Sequence, residues 1–477
     1  MDYIKLKHGN DNYKQRLERT KNDTYIEKIE LEGIHRRYNL KVEFNKSLNI
    51  LYGQNGTGKS TLIHIISNLA NCDFIRFAFI EFKRIQILYS SGVEIILTQE
   101  AIPDIIDKRI VVSVPCGESL VFTKRQAMDE IRDTEDERYG SAAASGIQMA
   151  LMDFIEKNDL DQIAASYFPA FRTMLEAWSS RKEGRLINSS SRKVNVTSFA
   201  RELFGPFLPN LNYPSPLEIE KKLHDEVRDC EVSIARYESS IFSTSFIKVF
   251  SSLVKDTDNE LDPTELLQEI FQLTKDSTSN KLGGVQDHSD IYGSLRTYVK
   301  ASKSSPLQKS ASGALKVYRD ALKERRDFQE KAFDTVNSYF DVVNFFLDKK
   351  KLSYETERER KGPRVSLKFP DGTRSRIMVM SSGERQLLTM LYAVNKMSQF
   401  STVLIDEPEI SLHIDWQEEL LGKMMEQLGD RQIIVCTHSP SIATDFEEYM
   451  KEIAPDFIDS DLSSEELNLT DDEDEHQ

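Results

Sequence analysis

LNILYGQNGTGKSTLIHIISNLA, residues 48–70, is the stretch that decides the fold. Its first five residues are apolar enough for a buried strand, and TLIHIISNLA has the apolar spacing of a helix. Between them, Gly53, Gln54, Asn55, Gly56, Thr57, Gly58, Lys59 and Ser60 satisfy the pattern GxxxxGK[ST] in full. The glycines let successive backbone N–H groups curl around phosphates, and the helix that follows adds the positive end of its dipole. Lys59 is expected at the β- and γ-phosphates, Ser60 on Mg²⁺, and Thr61 as a further amide donor. A chance Gly-rich turn would not carry a strand on one side and a helix on the other.

Working outward, Tyr25 to Ile50 alternate apolar and polar in two runs and read as strands. FAFIEFKRIQILY and GVEIILTQ flank Ser90-Ser91-Gly92 as a hairpin, and RIVVSVP at 109–115 is another short strand. Thr123 to Gly146 reads as a mobile loop with some helix, and ASYFPAFR at 165–172 as a buried strand with its exit. From about Ser179 the pattern turns polar, then helical over Pro216–Lys255 and Ala311–Asp348, with DSTSNKLGGVQDHSD as a flexible link between them. Such helices are too short for a long coiled-coil arm, since about 35 residues reach only about 50 Å. RVSLKF and RSRIMVM flank the turn Pro370-Asp371-Gly372. FSTVLID and RQIIVCTH are continuous apolar strands of the kind buried in a parallel sheet. The expected class is α/β, with a mostly parallel core sheet, an antiparallel β subdomain and an inserted helical domain. The expected divisions are 1–178, an insertion at 179–348, a second lobe at 349–455, and a tail at 456–477.

Composition narrows the class of protein. No stretch approaches the roughly 20 apolar residues of a membrane span, and the polar N-terminus lacks the apolar core of a signal peptide. Cys72, Cys116, Cys230 and Cys436 are scattered with no CxxC pair, which fits a reducing cytoplasm and offers no zinc site. The formal charge of −16 argues against a general nucleic-acid binder. Much of it is local, because the tail from Asp456 holds ten acidic residues and no Lys or Arg and is expected to be disordered. Basic clusters stand at Lys349, Lys350, Lys351, Arg358, Arg360, Lys361 and Arg364, and at Arg181, Lys182, Arg185, Arg192 and Lys193. They read either as solvated loops or as a DNA- or RNA-facing patch.

Further motifs belong with the phosphate loop. TVLIDEPE ends a buried strand on Asp406 and Glu407. Asp406 is expected to anchor Mg²⁺ and Glu407 to polarise the attacking water, because in-line phosphoryl transfer needs a positioned nucleophile. Ser381, Ser382, Gly383 and Glu384 open the helical segment QLLTMLYAV. Taken alone, they are an ordinary Ser N-cap whose capping box is completed by Glu384. His438 follows a strand in CTHSP.

With the phosphate loop, MSSGERQ resembles the signature motif of ABC-type ATPases, with Ser382 and Glu384 replacing a Gly and a Gln. The resemblance covers about 25–115, 165–178 and 365–446, and implies an ABC-type P-loop ATPase head. It makes ATP and Mg²⁺ the expected cofactors. Ser381 to Glu384 would contact the γ-phosphate bound to the other subunit, so that heads sandwich ATP in a homodimer or higher homo-oligomer. Ser411, Leu412 and His413 would form the D-loop at that interface, and His438 would sense the γ-phosphate beside the catalytic Glu407 and Lys59. The glutamine loop has no clear place, with Gln126 and Gln148 as candidates. Arg172 is expected near the nucleotide, and His35, Arg36 and Arg37 lie either near it or on a solvated edge.

EPEISLH and CTHSP are similar to the OLD, SMC and repair group of these ATPases rather than to transporters, as is the long interval from Gly53 to Gly383. OLD-type nucleases continue after the switch His into a metal-binding domain, and repair relatives carry zinc-hooked coiled coils. The chain resembles instead the PtuA ATPases of Septu anti-phage defence systems, with related ATPases in retron systems. That resemblance implies a cytoplasmic regulatory subunit that hydrolyses ATP and controls a separate HNH-type, PtuB-like nuclease. The alternatives are a repair or chromosome-maintenance ATPase acting directly on DNA, and an ATP-bound assembly scaffold.

Overall fold

The computed structural model describes residues 24–103, 107–115, 117–135, 146–160, 164–172, 174–175, 196–254, 263–279, 310–356, 363–397 and 400–458. The basic residues at 181–193 and 358–361, the Arg364 side chain and the tail beyond Ile458 fall outside them. In chain order the elements begin with β1 (Ile26–Ile34), β2 (Tyr38–Glu43), β3 (Leu48–Tyr52), α1 (Lys59–Ala70), β4 (Arg84–Tyr89), β5 (Glu94–Ala101), β6 (Lys108–Ser113) and β7 (Ser119–Thr123). There follow α2 (Lys124–Glu135), α3 (Gly146–Lys157), β8 (Ala165–Phe168), α4 (Val196–Phe204), α5 (Pro216–Val254), α6 (Pro263–Ser279) and α7 (Ser310–Phe346). The last are β9 (Lys351–Thr356), β10 (Pro363–Lys368), β11 (Arg374–Ser375), α8 (Ser382–Lys396), β12 (Thr402–Asp406), α9 (Ile414–Leu428), β13 (Gln432–Cys436), β14 (Met450–Glu452) and β15 (Asp456–Phe457). They fall into two compact units, Met1–Tyr213 with Ala393–Gln477, and Pro214–Tyr392.

The first unit is mixed α/β, as the sequence indicates. Among its described residues, a parallel sheet runs β14-β3-β13-β12-β8. Every residue of β12 and β13 is buried, which is why their sequences are apolar runs rather than alternations. An antiparallel sheet runs β15-β2-β1-β4-β5-β6-β7, and its strands do alternate. Its inner face packs with α1, burying Ile29, Leu31, Ile87, Leu97, Leu62, Ile65 and Leu69 in one core. Each such side chain contributes about 1.5–3 kcal/mol by leaving water. Gln432, fully buried, ties the two sheets together. Its Nε2 donates to the carbonyls of Ile26 and Asn45, and its Oε1 accepts from the Ile26 N–H.

The second unit is built on α5 and α7, helices of 39 and 37 residues packed along each other, each about 55 Å long at 1.5 Å per residue. Tyr237 stacks on Phe328 at 3.8 Å, and Arg325 pairs with Glu238 across the seam. A capping box starts α5: the Glu218 N–H donates to Ser215 Oγ, and the Ser215 N–H to the Glu218 carboxylate. The small antiparallel sheet β11-β10-β9 and the start of α8 complete the unit. Tyr339 of α7 donates to the Leu388 carbonyl of α8 at 2.9 Å.

Some expectations change. FAFIEF does not open a strand: Phe74–Phe79 is a 3₁₀ turn with Phe74, Phe77 and Ala78 wholly buried. A short run that is apolar on all sides has no periodicity to separate the two states. RSRIMVM contributes only Arg374–Ser375 to a strand, then closes into a 3₁₀ turn at Ile377–Val379. The link begun at Asp276 stays helical to Ser279 in α6. The helical unit spans 214–392 rather than 179–348. Residues 196–213 pack with the first unit, for example through Asn68 Nδ2 on the Phe207 carbonyl. Arg376, by contrast, pairs with Glu220 of α5 at 3.1 Å. Finally, Asp456 and Phe457 are not part of a structureless tail, since they pair with Asn39 and Tyr38 of β2.

Candidate nucleotide-binding and hydrolysis site

The phosphate loop leaves β3 at Gly53 and enters α1 at Lys59. Gly53, Gly56 and Gly58 all have positive φ, at 153°, 83° and 85°. A side chain at Gly58 would collide with the Tyr38 hydroxyl, and one at Gly53 would meet the Ile453 carbonyl at 2.9 Å. Glycine is therefore required at these two positions by both backbone and space. Gln54, Asn55 and Gly56 form the exposed crest, and Thr57 Oγ1 donates to the Gln54 carbonyl. Lys59 is buried, and its ammonium donates back to the carbonyls of Gly53 (2.8 Å) and Gln54 (2.9 Å). Burial holds its pKa below the usual lysine value. The first turn of α1 carries no acidic residue, so its dipole is left for an anion. Thr61 is in hydrogen-bond reach of the Tyr38 hydroxyl.

The acidic pair sits across from the loop. Asp406 ends β12 and is nearly fully buried, and the exposed Ser60 hydroxyl hydrogen-bonds to its carboxylate. Burial, reinforced by Glu407 and Glu409, pushes the Asp406 carboxyl up to about 6, with Ser60 and Arg172 opposing. A hydroxyl joined to a carboxylate whose charge is poorly satisfied is the hard oxygen donor set that suits Mg²⁺. Glu407 stands at φ 48°, a conformation rare for a non-glycine residue. Its N–H donates to the Cys436 carbonyl, and the turn aims its carboxylate at His438, whose Nε2 lies 3.7 Å from Glu407 Oε1.

Arg172, expected near the nucleotide, lies against the acidic turn. It is not exposed toward the loop but buried beneath the acidic turn. Nη1 donates to the carbonyls of Pro169 and Asp406, and Nη2 to those of Glu407 and Pro408, all at 3.0–3.2 Å. Burial lowers its pKa to about 10, so it remains charged at neutral pH. The guanidinium fork fixes the strained backbone at Glu407.

Two further residues were missed. Glu409 accepts from Thr437 Oγ1 and from the backbone N–H groups of His438 and Ser439. Gln417 donates to the Leu412 carbonyl at 3.1 Å and accepts from Ser439 Oγ at 2.9 Å. The only sequence cue to Glu409 was its place two residues after Glu407. Nearby, Ser411 has φ 65°, Leu412 is buried, and His413 stands at the N-cap position of α9, its Nδ1 3.3 Å from the Asp415 carboxylate.

Ser381, Ser382, Gly383 and Glu384 belong to the helical unit. They form the capping box: the Ser381 N–H donates to Glu384 Oε2 at 2.6 Å and the Glu384 N–H to Ser381 Oγ at 3.3 Å. Glu384 also pairs with Lys350 at 2.8 Å, so the middle lysine of one basic cluster is engaged. The glutamine-loop candidate Gln126 likewise completes the capping box of α2 with Thr123. Gln148 lies on α3. His35 and Arg36 form a tight turn with φ 52° and 59°, exposed beside Tyr38.

A strand, a glycine cradle, a buried lysine, a Ser–Asp pair and a Glu–His pair define a P-loop nucleoside-triphosphatase. The AAA ATPase domain family profile matches residues 25–443, and the chain belongs to that family. It is an ATPase. No curated protein matches the chain. Among solved structures it is similar to an Smc head domain with an extended coiled coil bound to the C-terminal domain of ScpA from Pyrococcus furiosus. That likeness has 14% identity and a TM-score of 0.39, over 91% of this chain and 96% of that one. It is also similar to an Smc head bound to the C-winged helix domain of ScpA (12%, TM-score 0.36, 91% and 97% covered). A third is an Smc head with a coiled coil and joint from Pyrococcus yayanosii (13%, TM-score 0.33, 91% and 97% covered).

Proposed function

We propose that this ATPase closes head to tail on ATP and Mg²⁺ and passes its nucleotide state, through the helical unit, to a separate HNH-type nuclease of an anti-phage defence complex. The observation that carries the reading is internal to the helical unit. The helix opened by Ser381–Glu384 is bonded to α7 through Tyr339 and Leu388, and Tyr339 packs edge-on to Tyr392. A phosphate held by Ser381 and Ser382 would therefore pull on the same body that carries the long α5–α7 pair. The motif wording shared with PtuA-type ATPases supports the defence setting.

In hydrolysis, the loop N–H groups and the α1 dipole bind the phosphates. Lys59 exchanges the Gly53 and Gln54 carbonyls for phosphate oxygens. Ser60 and Asp406 would hold Mg²⁺, whose charge would offset that of the phosphates. Glu407 accepts a hydrogen bond from the attacking water and orients it at the γ-phosphorus, where the new P–O bond forms as the bond to the β–γ bridging oxygen breaks, and His438, beside that carboxylate, donates to the γ-phosphate. ADP and phosphate leave when the heads part.

Tagged Glu407→Gln protein, purified from its native cells with ATP, tests the partner. A small basic nuclease that co-elutes with ATP and is lost with Lys59→Ala supports the reading. Duplex DNA co-eluting without a protein partner contradicts it.

A further inference from the structure

We infer that Glu409 and Gln417 are positioning residues that lock the switch-His loop and the 407–412 turn into one body, so that His438 reaches the γ-phosphate only while that lock holds. The inference rests on the catalytic reading given above. The Glu409 Oε1 gathers three donors: Thr437 Oγ1 at 2.7 Å, the His438 N–H at 2.9 Å and the Ser439 N–H at 3.1 Å. An acceptor shared by two consecutive N–H groups fixes the backbone direction of the residue between them, here His438. The bonds are charge-assisted, the stronger kind. Thr437 is itself buried, and its N–H donates to the Leu51 carbonyl at the end of β3. The switch loop is thus referenced to the strand that launches the phosphate loop.

Gln417 closes the other side. From α9 it donates to the Leu412 carbonyl at 3.1 Å and to the Glu409 carbonyl at 3.5 Å, while accepting from Ser439 Oγ at 2.9 Å. One amide therefore spans the turn that carries Ser411 and Leu412 and the loop that carries His438. Because Arg172 pins the carbonyls of Asp406, Glu407 and Pro408 from beneath, the Glu407 carboxylate and the His438 ring are set by a single hydrogen-bonded frame. A displacement of Leu412 is then felt at His438.

Neither side chain touches the reacting atoms, so the signature is a loss of kcat with nucleotide affinity intact. In the full chain, Glu409→Ala removes the shared acceptor and is expected to lower kcat by about tenfold or more while the Kd of a fluorescent ATP analogue changes less than about twofold. Glu409→Gln keeps one carbonyl acceptor and is expected to rescue most of the turnover. Gln417→Met should show the same split in milder form, and it carries the test if Glu409→Ala does not fold. Wild-type kcat in both Glu409→Ala and Gln417→Met, or a rise in Kd matching the loss of turnover, overturns the inference. Wild-type protein and Glu407→Gln run alongside. If Glu407→Gln turns over at the wild-type rate, the catalytic reading fails instead, and the two failures are told apart.

Discussion

Arg172 shows how a single side chain can determine a site without entering it. Four of its hydrogen bonds go to backbone carbonyls, three of them on the acidic turn. Arg172→Ala is expected to lower stability by about 3 kcal/mol, because a buried fork of donors vanishes and the positive φ at Glu407 loses its support. Arg172→Lys keeps the charge but not the fork, so melting temperature should partly recover while ATP turnover stays well below wild type. Equal turnover in Arg172→Lys and wild type would refute this. Lys350 is the second case. Glu384 stands where the signature resemblance expects a neutral Gln, and Lys350 sits 2.8 Å away with both side chains mostly enclosed. If Ser381 and Ser382 receive a phosphate from the other subunit, Lys350→Ala leaves an uncompensated carboxylate facing an anion. ATP-dependent association should then weaken about tenfold, and Glu384→Gln in the same chain should restore it. Sedimentation equilibrium reads both, and a double variant as weak as the single one rules the pairing out. Lys59, Ser60, Asp406, Glu407 and His438 could be named as candidates from the sequence because each belongs to a motif of fixed spacing. Glu409, Gln417 and the placement of Arg172 could not, because their partners, backbone groups together with the Thr437 and Ser439 hydroxyls, are brought to them by the fold, and nothing in the side chain announces which group it will meet.

At the scale of elements, the capping boxes Thr123–Gln126, Ser215–Glu218 and Ser381–Glu384 set where α2, α5 and α8 begin. The last two could be read directly, as a Ser three residues ahead of a Glu at the start of a helical run. The 3₁₀ turn at Phe74–Phe79 could not, since Phe74 to Ala78 are buried without interruption and give no period. Helix α1 carries a pH dependence of its own. His64 hydrogen-bonds Tyr167 at 2.8 Å, and burial lowers its pKa to about 4, against 6.5 for an ordinary histidine. The unfolded chain therefore binds a proton that the folded chain refuses between those values. Stability contributed by neutral His64 is full above pH 6.5 and is lost as pH falls towards 4, by on the order of 1–3 kcal/mol. Urea unfolding at pH 7 and pH 5 should show a smaller acid loss in His64→Gln than in wild type. An identical loss would mean that His64 is already protonated in the folded state.

For the molecule as a whole, the two units carry different parts of the proposed site. The unit of Met1–Tyr213 with Ala393–Gln477 holds the phosphate loop, the acidic pair and His438, and the unit Pro214–Tyr392 holds Ser381–Glu384 and the long helices. The class of the fold was legible because a buried parallel sheet and a half-exposed antiparallel one write different patterns into their strands. The limits of the helical unit were less so, because β9–β11 and the start of α8 look like part of the sheet-bearing lobe until their packing on α5 and α7 is seen. On the proposed reading, neither unit completes a hydrolytic site within one chain, and ATP supplies the missing contact from a second. The measurement that tests this most directly is the light-scattering mass of Glu407→Gln protein with and without Mg²⁺ and ATP. A mass that doubles with ATP, and does not with ADP or in Lys59→Ala, is the predicted result. A mass that stays that of one chain while bound ATP is measured in the same sample would contradict the account.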